Sequence, residues 1–167
     1  MGSRLNKGYT AAVYNKGPYM LHMLRSMVGE EAFFAMLKLF CGVAQHRNAS
    51  SQDFFALVEK SMGKDLTWFW DQWFYGTGIP SLDVSYTIAK EDGKWVMEGV
   101  VIQENTEFIL PTPFYIKFGR DKAIRQAVII QGKETPFRFE GLSKKPKKLE
   151  VDPFRELLTD KIKVHKK

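Results

Sequence analysis

Two imidazoles one helical turn apart with a glutamate between them, H-E-x-x-H, could share one divalent metal and set a base against its water. The chain has three histidines, His22, His46 and His165, and none stands at that spacing from another. No pair of carboxylates takes their place. Asp71, inside an aromatic run, has no second acid spaced to work with it. Cys41 is the only cysteine, which excludes an internal disulfide and a thiolate metal site. In its apolar helix it reads as core. What remains is Tyr14, two residues before Lys16 at the opening of an apolar helix, with Tyr9 five residues earlier. Taken alone, a tyrosine at a helix start is amphipathic packing.

The elements that must hold these residues are helical at first. Apolar residues at 13, 20, 21, 24, 27 and 28 predict a helix over 10–28, with Gly17-Pro18 near its start, where proline's missing N–H costs least. Gly29 ends it, and Glu30-Glu31 open a second helix to about Gln45 at the positive end of its dipole. Lys38 is that helix's only charge between Glu31 and Gln45, so it reads as covered on most sides. Ser50 with Asp53 three residues on caps a third helix over 51–62. Asp65 caps a fourth, 66–75, in which six of the eight positions from 68 to 75 are aromatic. Such a helix packs on two sides or exposes a patch for a partner.

After Gly76-Thr77-Gly78-Ile79-Pro80 the period changes to two. Leu82, Val84, Tyr86 and Ile88 alternate with polar residues, and Glu91-Asp92-Gly93-Lys94 turns into a strand over 95–103. Further strands follow near 114–118, 124–130, 137–139 and 149–151. The expectation is α+β: about four helices over 1–80, then an antiparallel sandwich over 81–167 with a basic C-terminal tail.

With 167 residues, 44% hydrophobic and 14% aromatic, the chain can bury a core. No apolar run reaches the ~18 residues of a membrane span. From Lys144 onward nine Lys/Arg face four Asp/Glu, a net +5 of the chain's +6. The basicity therefore reads as a solvated tail rather than a groove, and neither a nucleic acid nor a membrane is the expected partner.

Tyr14-Asn15-Lys16-Gly17, Met23-Leu24-Arg25, Gly29-Glu30-Glu31-Ala32-Phe33, Asp53-Phe54 and Gln72-Trp73 together resemble part of the aminopeptidase N type zinc metallopeptidases, the gluzincin aminopeptidases. Gln103, Phe108-Ile109-Leu110-Pro111 and Val151-Asp152-Pro153 continue the likeness more loosely. The resemblance implies that 1–80 is the C-terminal part of a thermolysin-like catalytic domain and 81–167 an immunoglobulin-like β-sandwich. It implies a parent enzyme that removes N-terminal residues from peptides by zinc-activated water. In it Tyr14 stabilises the oxyanion as the catalytic tyrosine, and Tyr9 lies near the substrate. The zinc ligands and the base glutamate precede this segment in the family. No zinc is therefore expected on this chain, which should be silent alone and work with an upstream catalytic portion. Lys16 is expected to meet a carboxylate and Arg25 to make a structural ion pair. The alternative is a non-catalytic interaction module that self-associates or binds a partner through its helical face.

Overall fold

The computed structural model describes residues 15–45, 48–120 and 122–167. The chain divides into two compact units, Met1–Thr77 and Gly78–Lys167.

In the first unit, α1 (Gly17–Val28) opens with proline in its first turn and buries Met20, Met23 and Leu24, the i, i+3, i+4 face of one helix. Gly29 (φ 88°) turns the chain, its N–H donating to the Arg25 carbonyl at 2.8 Å while its own carbonyl accepts from Phe33 N–H at 3.0 Å. A glycine tolerates that angle where other residues are strained. In α2 (Glu30–Ala44) Phe33 and Met36 are buried. The expectation that this helix is covered on most sides fails, since Phe34, Leu39 and Val43 are exposed, Leu39 by 58%. Cys41 is exposed too, not core. A run of apolar residues with one lysine shows only that few positions demand water; which sides are covered depends on neighbours supplied from elsewhere in the chain.

The local expectations for α3 (Ser51–Met62) hold. Ser50 and Asp53 form a reciprocal capping box, and Gly63 closes the helix in the left-handed region. Asp65 Oδ1 accepts from Thr67 N–H at 2.8 Å at the start of α4 (Thr67–Trp70). That hydrogen bond, with the Thr67 hydroxyl, holds the Asp65 carboxyl below its usual pKa. The predicted single helix over 66–75 changes form midway: Asp71–Tyr75 is a wider π-helical turn. The aromatic run does both things expected of it. Phe69, Trp70 and Trp73 are buried, while Phe74 and Tyr75 stand exposed.

Among its described residues the second unit has seven strands: β1 (Ser81–Glu91), β2 (Lys94–Gln103), β3 (Leu110–Lys117), β4 (Ala123–Ile130), β5 (Glu134–Leu142), β6 (Lys148–Val151) and β7 (Lys161–Lys166). They form two sheets, β5-β2-β1-β7 and β4-β3-β6. The β1–β2 hairpin turns on Asp92 and Gly93, both at positive φ, the geometry that matches the twist of the strands. Phe114 of one sheet meets Phe137 of the other with ring centroids 5.0 Å apart. Buried Tyr86 crosses likewise, its hydroxyl accepting from Leu149 N–H at 3.2 Å.

Two expectations are corrected here. The residues after Lys144 are not a solvated tail, because they contain β6 and β7. The unit is not wholly antiparallel, because β7 pairs with β1 in parallel, Val84 opposite Val164. Alternating lysines in Lys161-Ile162-Lys163-Val164-His165-Lys166 obscured an edge strand, where charged side chains are common.

Buried Gln103 closes one end of this unit. Its Oε1 accepts from Phe108 N–H and the Thr106 hydroxyl, each at 3.1 Å. Its Nε2 donates to the carbonyls of Phe108 and Gly132, each at 2.8 Å. Buried Asp152 accepts from the N–H groups of Glu156 at 2.7 Å and Leu157 at 3.0 Å. Both residues belong to the looser part of the sequence resemblance, and both organise loops.

Candidate functional site

The segment singled out in the sequence enters the described structure at Asn15. Tyr14 and Tyr9 lie outside the described residues. Lys16 does not find the expected carboxylate. Its Nζ donates instead to the carbonyl of Gly76 at 2.7 Å, across sixty residues of sequence. This bond joins the start of α1 to the residue that leaves the π-helical turn. Partial burial pushes the Lys16 ammonium below its ordinary pKa.

Gly76 could hardly be another residue. A Cβ there would fall 2.6 Å from the Gln72 carbonyl oxygen and 2.7 Å from that of Asp71, both backbone atoms. The wide turn brings its own carbonyls under Gly76, whose oxygen accepts from Lys16. A glycine at this position is visible in the sequence, but the reason for it is not, because the contact depends on the π-helical form of 71–75.

Beside the clasp is an apolar cavity of about 380 Å³, with Met20, Leu24, Leu37, Phe40, Phe54 and Phe74 among its lining residues. Gly17 also borders it, one residue from Lys16. The Phe55 ring stacks on Trp70 at 4.0 Å and 12°. Glu59, which sequence reasoning passed over, receives Trp70 Nε1–H and Leu66 N–H on one oxygen, both at 3.1 Å. An acid in the third turn of α3 gave no signal, because its partners lie seven and eleven residues away, at the cap and in the body of the next helix.

The other candidates are structural. Arg25 pairs with Glu30 at 2.5 Å and lies 5.3 Å over the Phe34 ring, an exposed pair of the kind worth well under ~1 kcal/mol. The His22 ring packs edge-on against Tyr19. His165 Nε2 lies 3.6 Å from Asp83 in the other unit's sheet. Asp71 is exposed at the start of the π-helical turn. Among the described residues no group of three or more His, Cys, Asp or Glu side chains converges as a metal site.

Residues 2–73 match the peptidase family M1 domain. Over 71 residues the chain is 37% identical to aminopeptidase N of Lactococcus lactis, covering 42% of this chain and 8% of that protein. Over 81 residues it is 31% identical to aminopeptidase N of Haemophilus influenzae, covering 48% and 9%. Among solved structures it is similar to Legionella pneumophila aminopeptidase A in complex with aspartic acid. That likeness has a TM-score of 0.69 at 23% identity, over 95% of this chain and 18% of that one. The chain thus spans less than a tenth of the length of these two sequence relatives. Residues 2–73 carry the likeness to peptidase family M1, and the α+β fold is similar to that of the Legionella pneumophila aminopeptidase over 95% of this chain.

Proposed function

We propose that this chain is the segment of a zinc-dependent aminopeptidase that carries its oxyanion-stabilising tyrosine, Tyr14. The match of residues 2–73 to the peptidase family M1 domain carries this reading. The substrate is a peptide with a free N-terminus, and Tyr9 lies on the substrate side. When the scissile carbonyl is attacked, the Tyr14 hydroxyl donates a hydrogen bond to the oxygen on which charge develops. A preorganised donor at that point is typically worth ~10²–10³ in rate. Lys16, two residues on, is anchored on Gly76, which fixes where the chain enters α1. Zinc and the base belong to a catalytic portion outside this sequence, so the chain by itself is hydrolytically silent.

The finer architecture follows the same reading. Residues 1–80 are the C-terminal part of a thermolysin-like catalytic domain. Residues 81–167 are an immunoglobulin-like sandwich, for which the seven strands in two sheets and the crossings between sheets argue. The exposed apolar side chains of α2 favour one second reading, an interaction module that docks another chain on that helical face.

The test is hydrolysis of aminoacyl chromogenic substrates with bound zinc counted in the same sample. It is run on the chain alone and mixed with an upstream family M1 portion bearing H-E-x-x-H. The expected result is neither zinc nor turnover alone, and turnover in the mixture that falls ~10²–10³-fold with Tyr14→Phe. Stoichiometric zinc and turnover by the chain alone, indifferent to Tyr14→Phe, would overturn the proposal.

A further inference from the structure

Four of the lysines that read in sequence as a tail, Lys144, Lys145, Lys147 and Lys148, meet cations of two other connections at one end of the second unit. Three connections meet there: the β1–β2 turn, the β3–β4 connection and the β5–β6 connection. Lys117, ending β3, is the register partner of Lys148, beginning β6, and Lys147 N–H donates to the Lys117 carbonyl at 2.7 Å. Phe118 N–H donates to the Lys122 carbonyl at 2.9 Å, folding the β3–β4 connection back on itself. Trp95, the second residue of β2, pairs with Lys90 of β1 and with Leu142 at the end of β5. Lys145 Nζ lies 5.0 Å, and Lys90 Nζ 6.0 Å, from the centre of the Trp95 ring, which ties the β5–β6 connection to the β1–β2 hairpin.

Over 90–95, 117–122 and 144–150 there are nine Lys/Arg and four Asp/Glu, a net +5. The whole chain carries +6, so the rest of the molecule is nearly neutral. Lys144, Lys145, Lys147 and Lys148 are all exposed, as are Arg120 and Lys122. Neighbouring charges that sit within about 10 Å of each other reinforce one field at ordinary ionic strength instead of being screened apart.

We propose that this basic end is a docking surface for an anionic lipid bilayer, on which the protein lies without spanning it. The chemistry of the residues selects this occupant. Eight of the nine cations are lysines, hydrated point charges on flexible stems, and Arg120 alone offers the planar fork suited to paired phosphate oxygens. A bilayer surface asks only for field, and clusters of this size suffice for anionic headgroups. Nucleic acid would ask for open aromatic faces on which bases stack. Trp95 is partly buried and already faced by two lysines. The inference is independent of the peptidase reading, because no residue of 2–73 takes part in it.

The experiment is co-sedimentation of the full chain with vesicles of phosphatidylcholine alone, or with about one third phosphatidylserine, the type of anionic lipid such clusters recognise. Binding is expected to the anionic vesicles only, and to be released when salt rises from roughly 0.05 to 0.5 M. Lys144→Gln with Lys145→Gln and Lys147→Gln is expected to weaken binding about a hundredfold. Lys133→Gln with Lys161→Gln, at the opposite end, is expected to change it less than about threefold. Should the triple variant lose its β circular dichroism, Arg120→Gln with Lys122→Gln, in a different connection, takes its place with an expected loss of about tenfold or more. Failure to bind anionic vesicles at low salt, equal binding to both vesicle types, or binding untouched by these variants would overturn the proposal. Tighter binding to a mixed-sequence DNA duplex at the same salt would overturn it in favour of a nucleic-acid surface.

Discussion

Replacing Lys16 with methionine keeps the apolar stem and removes only the group that reaches Gly76. In the structure that group is a donor 2.7 Å from a carbonyl oxygen, in a partly buried position. A hydrogen bond from a charged donor contributes ~1.5–3 kcal/mol. Incomplete burial and the cost of desolvating the ammonium offset part of this, leaving a net loss of about 1 kcal/mol for Lys16→Met. For a unit of this size that lowers the melting temperature by about 5 °C. The fluorescence of Trp68, Trp70 and Trp73, all in the segment the clasp holds, follows the unfolding. A pH signature separates this bond from generic packing. Burial sets the folded-state pKa of Lys16 below its ordinary value of 10.5. Between the two values the unfolded chain binds more protons than the folded one, so this group makes stability rise with pH across that window. The stability difference between the native protein and Lys16→Met should therefore widen from the folded-state pKa up to 10.5 and then stay flat. An unchanged melting temperature, or a difference that shrinks across that window, would refute the reasoning.

Gly76→Ala should be worse than Lys16→Met, because a Cβ 2.6–2.7 Å from two backbone oxygens cannot be accommodated by a side-chain movement. A loss of ~2–4 kcal/mol in urea unfolding is expected, in the range for steric overpacking with loss of a hydrogen bond. Combined with Lys16→Met, the cost should be less than additive, since both act on one contact. Gln103→Leu removes four hydrogen bonds that tie together Thr106, Phe108 and Gly132. At ~0.5–1.5 kcal/mol for each hydrogen bond lost, a loss of about 3 kcal/mol is expected, read as an earlier denaturant midpoint for the β signal in circular dichroism.

Much of the local structure was legible because it is set by neighbours in sequence. The Ser50–Asp53 box, the Gly29 and Gly63 stops and the Asp92-Gly93 turn each satisfy backbone groups within five residues. The alternation in β1 and β2 reports their buried face directly. The resemblance also depends on contiguous motifs, and the family M1 model matches over residues 2–73, where most of those motifs lie. The reading of Tyr14 as the oxyanion-stabilising residue comes only from that resemblance, and Tyr14→Phe is its test. Lys16's true partner was not legible, because a carbonyl at position 76 looks like every other carbonyl until the π-helical turn presents it.

The sequence by itself determined where helices give way to strands, how α3 is capped, and that no histidine pair is spaced to bind zinc. These are properties of residue type at fixed short separation, and backbone geometry converts them into structure almost without reference to the rest of the chain. Only the tertiary structure decided that Cys41 faces outward, that 161–166 is a parallel edge strand, and that Glu59 anchors Trp70. It alone decided that lysines from three connections form one charged end. Burial, strand pairing and electric field add up over distance in space, and chain topology, not sequence separation, sets those distances.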